Sequence, residues 1–426
     1  DDPDERFFAE STVAGTEHTV RLSGLVPRRS WTCAVAPTCP TQAGPAATFP
    51  WVTDLPPDDL RMLDIADDPT LGRSGSWLVA AYTLNAFGDR TWLVVWGPDG
   101  TVRWWYPLPT GVGMWVEAVV DLDTRQIVWG GGMHPEGRIR AVDLWDGETW
   151  AFAPPGWEQE EFHHDGKQLA DGRMLTLEIR ENAVGGASWD GFGLRVVDPT
   201  DGSVDWEFDS QVLVDAGDLP PGGVFFTDPW HANWVDYKET PTGPMAYVSL
   251  CFLSQVLAID ATTGELAWQF GADLGWTITD AAGAPLANDW FPQCQHGLEV
   301  DGDVFLVYDN GQTRNQSMAQ EWVIDGENRS AQLLWSWTEP GWSEDYIGDI
   351  DWLPADDRVL VTEAAQFGTS VVVEVDRPTG QVASRMTLTE GYLYRSEQYE
   401  GCDLFDSVRA CAPLAQRYAE VEALLR

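Results

Sequence analysis

The stretch Pro98-Asp99-Gly100-Thr101-Val102-Arg103-Trp104-Trp105 joins a tight turn to a strand of β-branched and aromatic residues. The unit recurs with its glycine at Gly147, Gly202, Gly264, Gly326 and Gly380, at intervals of 47, 55, 62, 62 and 54 residues. Each interval holds about four short strands, the size of one propeller blade. A large β-sandwich would also give many short strands, but the regular repeat favours an all-β, six-bladed β-propeller.

Charge restricts the partners that this chain can have. The formal net charge is −43 and the pI is near 4.1. This charge repels phosphate backbones and anionic lipid surfaces, so we expect no nucleic-acid partner. The sequence has no stretch of 18 apolar residues, and it therefore predicts no membrane span. Most of the 24 tryptophans are expected to pack between blades.

The pattern divides the chain into four regions. Residues 1–48 resemble the second half of an immunoglobulin-like or fibronectin type III β-module, 49–73 form a linker, 74–400 the propeller, and 401–426 a tail with a disulfide and a short helix. Natural proteins normally cover an unpaired strand edge. We therefore expect either that the chain is a fragment or that a neighbouring copy completes the partial module, in a homo-oligomer or a strand-exchanged assembly.

Cysteine spacing indicates the compartment. Cys33 with Cys39 and Cys402 with Cys411 bound short segments, which predicts two disulfides and an oxidising environment. The acidic start of the chain is typical of a processed N-terminus. The sequence thus predicts a secreted, periplasmic or cell-surface bacterial protein.

Four of the six histidines stand at comparable points of three successive units, in His163-His164-Asp165, His231-Ala232-Asn233 and Gln295-His296-Gly297. Each run shortly precedes an apolar strand. Because the innermost strand of a blade lines the central channel, these histidines are expected to face one axial cavity. Clustered imidazoles can act as nucleophiles, exchange protons, donate hydrogen bonds to an oxyanion or bind a transition metal. The residues alone leave these alternatives open.

These runs resemble the motifs of the bacterial aryl-sulfate sulfotransferases, over roughly residues 75–400. The resemblance extends to Val256-Leu-Ala-Ile-Asp260, Val307-Tyr-Asp-Asn-Gly311 and Tyr394-Arg395. It implies a periplasmic or extracellular six-bladed propeller that moves a sulfuryl group from an aryl sulfate to a phenol, without a nucleotide sulfate donor or other cofactor.

The resemblance also implies roles for individual residues. His296 would be transiently sulfurylated, as the catalytic nucleophile. His163 or His164 and His231 would bind the sulfuryl oxygens, with Asn233 as a further polar neighbour in the catalytic site.

One position departs from the family. Where the family has an arginine in a Ser-Ser-Arg-His run, this chain has Ser249-Leu250-Cys251-Phe252, which puts Cys251 in the substrate site. Cys294 lies two residues before His296, and residues two apart on a strand share a side. Cys251 and Cys294 are therefore expected to form a third disulfide, with a metal site shared with the histidines as the alternative.

Two further residues are candidates for substrate binding. Arg314 could supply a replacement positive charge if its loop folds over the mouth, or it could be a solvated side chain. Asp349, together with Asp351, stands where the three preceding units carry histidine. These aspartates could bind a cation or an acceptor hydroxyl, although aspartate is also common at strand entries.

Three hypotheses follow. The first is an arylsulfotransferase-like enzyme that acts on small aryl sulfates and phenols through a sulfo-histidine. The second is a catalytically inactive extracellular binding or structural propeller that self-assembles through its N-terminal module. The third is a His/Cys metal-binding propeller with an ion in the channel. The missing arginine favours the second and third hypotheses, and the retained histidine motifs favour the first.

Overall fold

The computed structural model describes most of the chain from residue 47 onward. The described residues are 25, 30–35, 38–39, 42–43, 47–53, 55–73, 77–84, 90–108, 116–121, 126–131, 139–144, 147–152, 162–199, 201–222, 227–353, 357–363, 368–399, 404–405, 416–417 and 419–420. They form an all-β β-propeller, which confirms the predicted fold class.

The described strands alternate with short turns. In chain order they are β1 (Ser30–Val35), β2 (Thr38–Cys39), β3 (Gln42–Ala43), β4 (Ala47–Val52), β5 (Asp64–Asp67), β6 (Trp77–Thr83), β7 (Thr91–Trp96), β8 (Val102–Pro107), β9 (Val116–Asp121), β10 (Gln126–Gly131), β11 (Ile139–Asp143), β12 (Gly147–Phe152), β13 (Phe162–Gln168), β14 (Met174–Val184), β15 (Ala187–Val197), β16 (Val204–Asp209), β17 (Ala232–Thr240), β18 (Gly243–Leu250), β19 (Gln255–Asp260), β20 (Leu266–Phe270), β21 (Thr277–Asp280), β22 (Leu298–Asp301), β23 (Val304–Asp309), β24 (Met318–Asp325), β25 (Ser330–Trp337), β26 (Asp349–Leu353), β27 (Arg358–Glu363), β28 (Thr369–Asp376), β29 (Gln381–Thr389) and β30 (Tyr392–Tyr399). A short helix α1 (Gln211–Ala216) and a 3₁₀ helix (Asn288–Trp290) interrupt them.

Five sheets are built from consecutive strands, namely β9–β12, β13–β16, β17–β20, β21–β25 and β26–β29. A further sheet joins the two ends of the propeller in the order β30-β6-β7-β8. The described structure therefore has five blades that are each built from consecutive strands, rather than the six predicted, and the sheet from both ends closes the ring. The glycine turn could not reveal this difference, because it marks only the outer hairpin of a unit and not where the innermost strand comes from.

The repeated turn is that outer hairpin. In each sheet of four or more strands it joins the third and fourth strands counted from the inner edge, as between β7 and β8. Gly100, Gly202, Gly264 and Gly380 have φ between 68° and 79°. This left-handed conformation suits glycine, and it explains why glycine marks the repeat.

The innermost strands close into a ring. Contacts run from β30 to β9, β13, β17, β22, β26 and back to β30. Apolar side chains fill the spaces between neighbouring sheets, as where Phe192 and Leu194 pack with Trp230 and Val248. Trp77, Trp96, Trp230, Trp234 and Trp322 are among the largest fully buried side chains. The core thus lies between blades and leaves the axis to polar side chains.

The segment before the propeller differs in part from the prediction. β1 pairs with β4, and β2 with β3, as two small separate sheets. The immunoglobulin-like module stays a prediction, since residues 1–24 lie outside the described residues. Strand β5, within the predicted linker, adds to the outer edge of β29. This pairing makes part of residues 49–73 a structural element of the propeller.

Two disulfide predictions fall near the chain ends. Cys33 is a free thiol, so the predicted bond at this residue is wrong in this structure. The reason is local pairing, because Cys33 lies opposite Phe49 in the β1–β4 ladder while Cys39 belongs to the β2–β3 hairpin. Cys402 and Cys411 lie outside the described residues. Residues 416–417 and 419–420 are helical, in the part of the tail where a helix was predicted.

No helix in the described part of the chain is long and apolar enough to cross a membrane.

Candidate functional site

Three inner strands are irregular at the same level of the axis. The ladder register shifts between Phe162 and Gly166 in β13, between Ala232 and Trp234 in β17, and between Leu393 and Ser396 in β30. A bulge redirects side chains and is frequent beside functional sites. The residues that these shifts displace are His163, His164, Asp165, Asn233, Tyr394 and Arg395.

Backbone strain is concentrated at this level. His164, His231 and Cys294 have φ of 65°, 51° and 47°. Non-glycine residues rarely adopt this left-handed conformation, and where they do the surrounding structure must hold them there. All three residues belong to the histidine runs or lie within two residues of one.

The structure brings three predicted histidines into ring contact. The ring centroids of His163 and His164 are 4.1 Å apart, those of His164 and His231 4.6 Å, and those of His163 and His231 5.3 Å. His163 and His164 are buried, whereas the His231 side chain is 23% exposed. The cluster therefore opens to solvent at the His231 side.

Asp228 holds two of these rings. Its Oδ2 accepts a hydrogen bond of 2.6 Å from His231 Nδ1 and lies 3.4 Å from His163 Nε2. His163 Nδ1 donates to the Ala232 carbonyl at 2.5 Å. Burial raises the pKa of Asp228, but its hydrogen bonds with His163 and His231 outweigh burial and hold that pKa well below the usual range. The carboxylate is therefore ionised at neutral pH.

Hydrogen bonds also fix the protonation of His296. The Asn310 amide donates to the carbonyls of Glu344 (2.8 Å) and Ile347 (2.9 Å), so its Oδ1 can only accept. That oxygen lies 2.8 Å from His296 Nδ1, which also faces the Cys294 carbonyl at 3.0 Å. Nδ1 must carry the proton. The lone pair is therefore on Nε2, which is buried and has no hydrogen-bond partner among the described residues.

Burial keeps the deeper imidazoles neutral. Burial first, and the charge of His231 second, lower the pKa of His296 to about 3. Burial and the neighbouring His163 and His231 also lower the pKa of His164 well below its usual value. Desolvation disfavours the charged form of a histidine, and both rings are unprotonated at neutral pH.

A buried guanidinium stands beside the histidines. Arg395 Nη1 pairs with Asp165 Oδ1 at 3.1 Å, and Nη2 donates to the Asn233 carbonyl at 2.7 Å. Asp165 Oδ2 accepts from the Val235 amide at 2.7 Å. Arg395 is near enough to contribute to the lowered pKa of His164 and His296, after burial and the other histidines. It is a positive charge that the sequence argument did not place in the site.

The predicted bond between Cys251 and Cys294 is present. It links the start of the turn after β18 to the segment that carries His296. Cys251 N–H donates to the His231 carbonyl at 3.1 Å, so the same bond also ties the His231 turn to His296. A bonded Cys251 offers no free thiol, and whether it contacts a substrate stays a prediction.

Gly297 and Asn233 fix the spacing around His296. A Cβ at Gly297 would come within 2.6 Å of the Ile350 amide nitrogen, so only glycine lets β26 approach the His296 segment. Asn233 Nδ2 donates to the Gln295 carbonyl at 2.8 Å. Asn233 is therefore a structural link between β17 and the His296 segment, in addition to being a neighbour of the site.

Arg314 and Asp349 are the remaining substrate-binding predictions. Arg314 forms an ion pair with buried Asp309, so its charge is neutralised within the fold. Asp349 is buried on the inner strand of the last continuous blade, and burial raises its pKa to about 6. Whether Arg314 and Asp349 bind a substrate stays a prediction.

Buried and half-buried carboxyl groups continue along the inner strands beyond Asp349. Glu299 lies 3.8 Å from Lys167, and burial with the charges of Glu397 and Asp349 raises the pKa of Asp351 well above its usual value. Burial raises the pKa of Glu397 to about 8. We call Glu299, Asp349, Asp351 and Glu397 the axial acidic group. It contains more carboxyl groups than there are cations close to it.

Two sets of side chains among the described residues have metal-ligand spacing. His163, His164 and His231 offer ligand atoms within 4.8 Å of one another, and so do Cys251, Cys294 and His296. The two sulfurs of the second set are bonded to each other, which removes the thiolates that bind metals. The three-histidine set has the donor type that suits transition metals.

The histidines were predicted from the sequence, but the residues that support them were not. Asn310 and Arg395 entered only as part of the family resemblance, and Asp228 was assigned no role. Asp228 stands three residues before His231 and accepts a hydrogen bond from its amide, as an N-cap side chain does, and that spacing was the available signal. Asn310 gave no such signal because it meets His296 from the neighbouring strand of the same blade, and Arg395 gave none because it comes from the far end of the chain.

Comparison with known proteins gives one family. Residues 83–398 match a family model whose description is Arylsulfotransferase (ASST). No curated protein matches the chain. Similar solved structures include the Pseudomonas aeruginosa periplasmic gluconolactonase PpgL, with 14% identity over 76% of this chain and 99% of that one and a TM-score of 0.43. Another is the β-propeller domain of Myceliophteria thermophila Cps50 (Swd1), with 13% identity, 74% and 86% coverage and a TM-score of 0.38. Likenesses this weak say nothing about function.

Proposed function

Because the chain belongs to the arylsulfotransferase (ASST) family, we propose that it transfers a sulfuryl group from an aryl sulfate to a phenol through a sulfo-histidine at His296. The observation that carries this proposal is the state of His296. Its Nε2 is unprotonated and buried, while Asn310 and the Cys294 carbonyl hold the ring by hydrogen bonds to Nδ1. A fixed neutral imidazole is a competent nucleophile at neutral pH.

The transfer takes two balanced steps. In the first, Nε2 attacks sulfur, an N–S bond forms, and the S–O bond to the aryl group breaks, so that the ring becomes a sulfo-imidazolium that keeps its Nδ1 proton and an aryloxide leaves. In the second, the oxygen of the acceptor phenol attacks the same sulfur, the N–S bond breaks with its electron pair returning to Nε2, and the phenolic proton passes to the released aryloxide or to solvent. The second step thus regenerates the neutral imidazole, and neither step needs a nucleotide or another cofactor.

Cationic donors are expected to stabilise the three sulfuryl oxygens. The ring nitrogens of His163 lie against the Ala232 carbonyl and Asp228, which orient the ring. Arg395 adds a guanidinium that does not titrate and that Asp165 holds in place. In this proposal His163 and the Arg395 guanidinium take the place of the arginine whose family position is held by Cys251. Preorganised charges of this kind are usually the largest contribution to such catalysis.

The proposal is tested by trapping the intermediate. The protein is incubated with 4-nitrophenyl sulfate without an acceptor, quenched in alkali and digested. Mass spectrometry is expected to find one added SO₃ on the peptide that contains His296, and phenol added before the quench should remove it. Modification on His163, His164 or His231 instead would reassign the nucleophile, and the absence of any adduct together with no nitrophenol release would refute the proposal.

Asn310→Ala is expected to lower kcat by about 10- to 100-fold with little change in KM. The physical reason is the tautomer, because without Oδ1 the proton can move to Nε2 and block the attacking lone pair. Steady-state kinetics with 4-nitrophenyl sulfate measure the two constants. Gln312→Ala is the matched control, since Gln312 donates to the Asp345 carbonyl of the same loop without contacting His296. An equal loss in both variants would show that loop stability, and not the tautomer, is responsible.

The compartment belongs to the same proposal. A disulfide between Cys251 and Cys294 agrees with an oxidising environment, since such bonds are rare in the cytosol. We accordingly place the protein in the periplasm or outside the cell.

The three-histidine set favours one alternative, a metal-binding propeller. Two of its members, His163 and His231, donate Nδ1–H to a carbonyl and a carboxylate, as metal-bound histidines commonly do. Metal analysis of protein purified without chelators separates the two functions. A stoichiometric ion whose removal leaves sulfuryl transfer unchanged would give the set a second role, and an ion required for transfer would replace the mechanism above.

A further inference from the structure

Phe252 is an exposed aromatic side chain at the open side of the histidine cluster. It is 47% exposed, and its ring lies 4.8 Å from the His231 ring at an interplanar angle of 23°. One face is therefore covered by His231, and much of the other ring surface faces solvent. Among the exposed large hydrophobic side chains of the described residues, it is the one in ring contact with a site histidine.

The backbone holds this ring in place. Phe252 N–H donates to the Trp230 carbonyl at 3.1 Å, and the Ser254 amide donates to the Cys251 carbonyl at 2.9 Å. The residue before it, Cys251, is bonded to Cys294. A ring that is already fixed loses little conformational entropy when a ligand packs on it.

The position of the ring fits the path into the site. His163, His164 and His296 are buried, while His231 is the partly exposed member of the cluster. A molecule that enters the histidine cluster at its exposed member, His231, also passes the stacked ring of Phe252. A flat aromatic group is complementary to such a face, because aromatic rings gain by stacking beyond simple area burial.

We propose that Phe252 is the ring-binding residue of the site and selects aryl over alkyl substrates. The assignment rests on the proposed sulfuryl transfer for its reaction, but ring binding itself requires no turnover. The substrate class is planar monocyclic aryl sulfates and phenols, with the ring against Phe252 and the oxygen substituent directed towards the histidines.

Binding is tested first, with 4-nitrophenol as the probe and isothermal titration calorimetry as the readout. Phe252→Ala is expected to raise the Kd about 5- to 10-fold, and Phe252→Trp to keep it within about 2-fold of the parent value. Phe252→Leu keeps the apolar area but removes the ring, and it should still raise the Kd about 3-fold. Phe49→Ala is the matched control, because Phe49 is equally exposed at 49% on the separate β1–β4 sheet.

Turnover then tests selection. The ratio of kcat/KM for 4-nitrophenyl sulfate to kcat/KM for hexyl sulfate is expected to fall in Phe252→Leu. The fall should come from a higher KM for 4-nitrophenyl sulfate, with kcat nearly unchanged. An unchanged Kd in both Phe252→Ala and Phe252→Leu would overturn the inference, as would a parent protein that does not bind 4-nitrophenol.

The two proposals fail separately. Phe252-dependent binding of 4-nitrophenol without any sulfuryl transfer would refute the reaction and keep the ring site. Transfer with Phe252-independent binding would keep the reaction and refute the ring site.

Discussion

His296→Ala is expected to lower kcat for sulfuryl transfer from 4-nitrophenyl sulfate by at least about 1,000-fold. The substitution removes the buried Nε2 lone pair that attacks sulfur in the proposed reaction. Release of 4-nitrophenol, followed by its absorbance, measures the loss. Circular dichroism checks that the fold is retained.

Rescue separates chemistry from damage to the fold. Free imidazole can enter the space left by the side chain and attack sulfur in its place, so added imidazole should restore part of the lost rate in His296→Ala. It should not restore the rate in a variant that is merely unfolded. Near-parental activity of His296→Ala without imidazole would remove His296 as the nucleophile.

The pH profile supplies a second check on this residue. The pKa of His296 is lowered to about 3, first by burial and then by the charge of His231. The unprotonated form therefore persists as pH falls, and kcat/KM should not lose the nucleophile until the pH approaches 4. If protein that is still folded loses activity with a midpoint near 6.5, and the His296 ring titrates with the same midpoint by NMR, the assigned neutral state is wrong.

Asp351→Asn is expected to stabilise the protein at pH 8 by about 1 to 3 kcal/mol. Burial first, and the charges of Glu397 and Asp349 next, raise the pKa of Asp351 well above its usual value. Its Oδ2 has no hydrogen-bond partner among the described residues. Asparagine has nearly the same shape as aspartate but carries no charge, so the substitution removes the free-energy cost of burying a carboxylate. No hydrogen bond to Oδ2 is lost among the described residues.

The sign of the pH dependence follows from the same pKa shifts. Carboxyl groups whose folded pKa is raised bind more protons in the folded than in the unfolded chain between pH 4 and their folded pKa, so stability falls as pH rises. For Asp349 and Glu397 the pKa values are about 6 and about 8. The contribution of these carboxyl groups to the free energy of unfolding should therefore decrease from pH 5 to pH 8, whereas the lowered pKa values of His164 and His296 act in the opposite sense below about pH 6.5.

Urea unfolding at pH 5 and pH 8 measures both effects. In Asp351→Asn, the free energy of unfolding should differ less between pH 5 and pH 8 than it does in the parent. Glu327→Gln is the control, since it removes one negative charge from an exposed turn and leaves the channel unchanged. Equal stabilisation by both variants would attribute the effect to the net charge of −43 rather than to the axial acidic group.

Part of the site could be predicted from the sequence, for a specific reason. His163, His231 and His296 precede equivalent strands of a repeat, and strands in equivalent positions of a propeller share one axis. Cys251 and Cys294 were paired by the same logic, through the side that Cys294 shares with His296. These inferences needed only periodicity and the alternation of side chains along a strand.

The chemistry of each histidine could not be predicted in this way. The tautomer of His296 depends on Asn310, and Asn310 is oriented by carbonyls of residues 344 and 347. Arg395 reaches Asp165 and Asn233 from the far end of the chain. Such contacts join segments that are separated along the chain, and no local pattern encodes them.

The sequence by itself determined that this protein is a β-propeller with its histidines at the axis, because hydrophobic alternation and turn glycines repeat with the blades, and its histidine motifs carried the resemblance to the arylsulfotransferases. Only the tertiary structure decided that the closing sheet combines both ends of the propeller, that Cys33 is unpaired, and which nitrogen of His296 is free to react. Those outcomes depend on strand pairing and on hydrogen bonds between segments that are separated along the chain, which form only in the folded propeller.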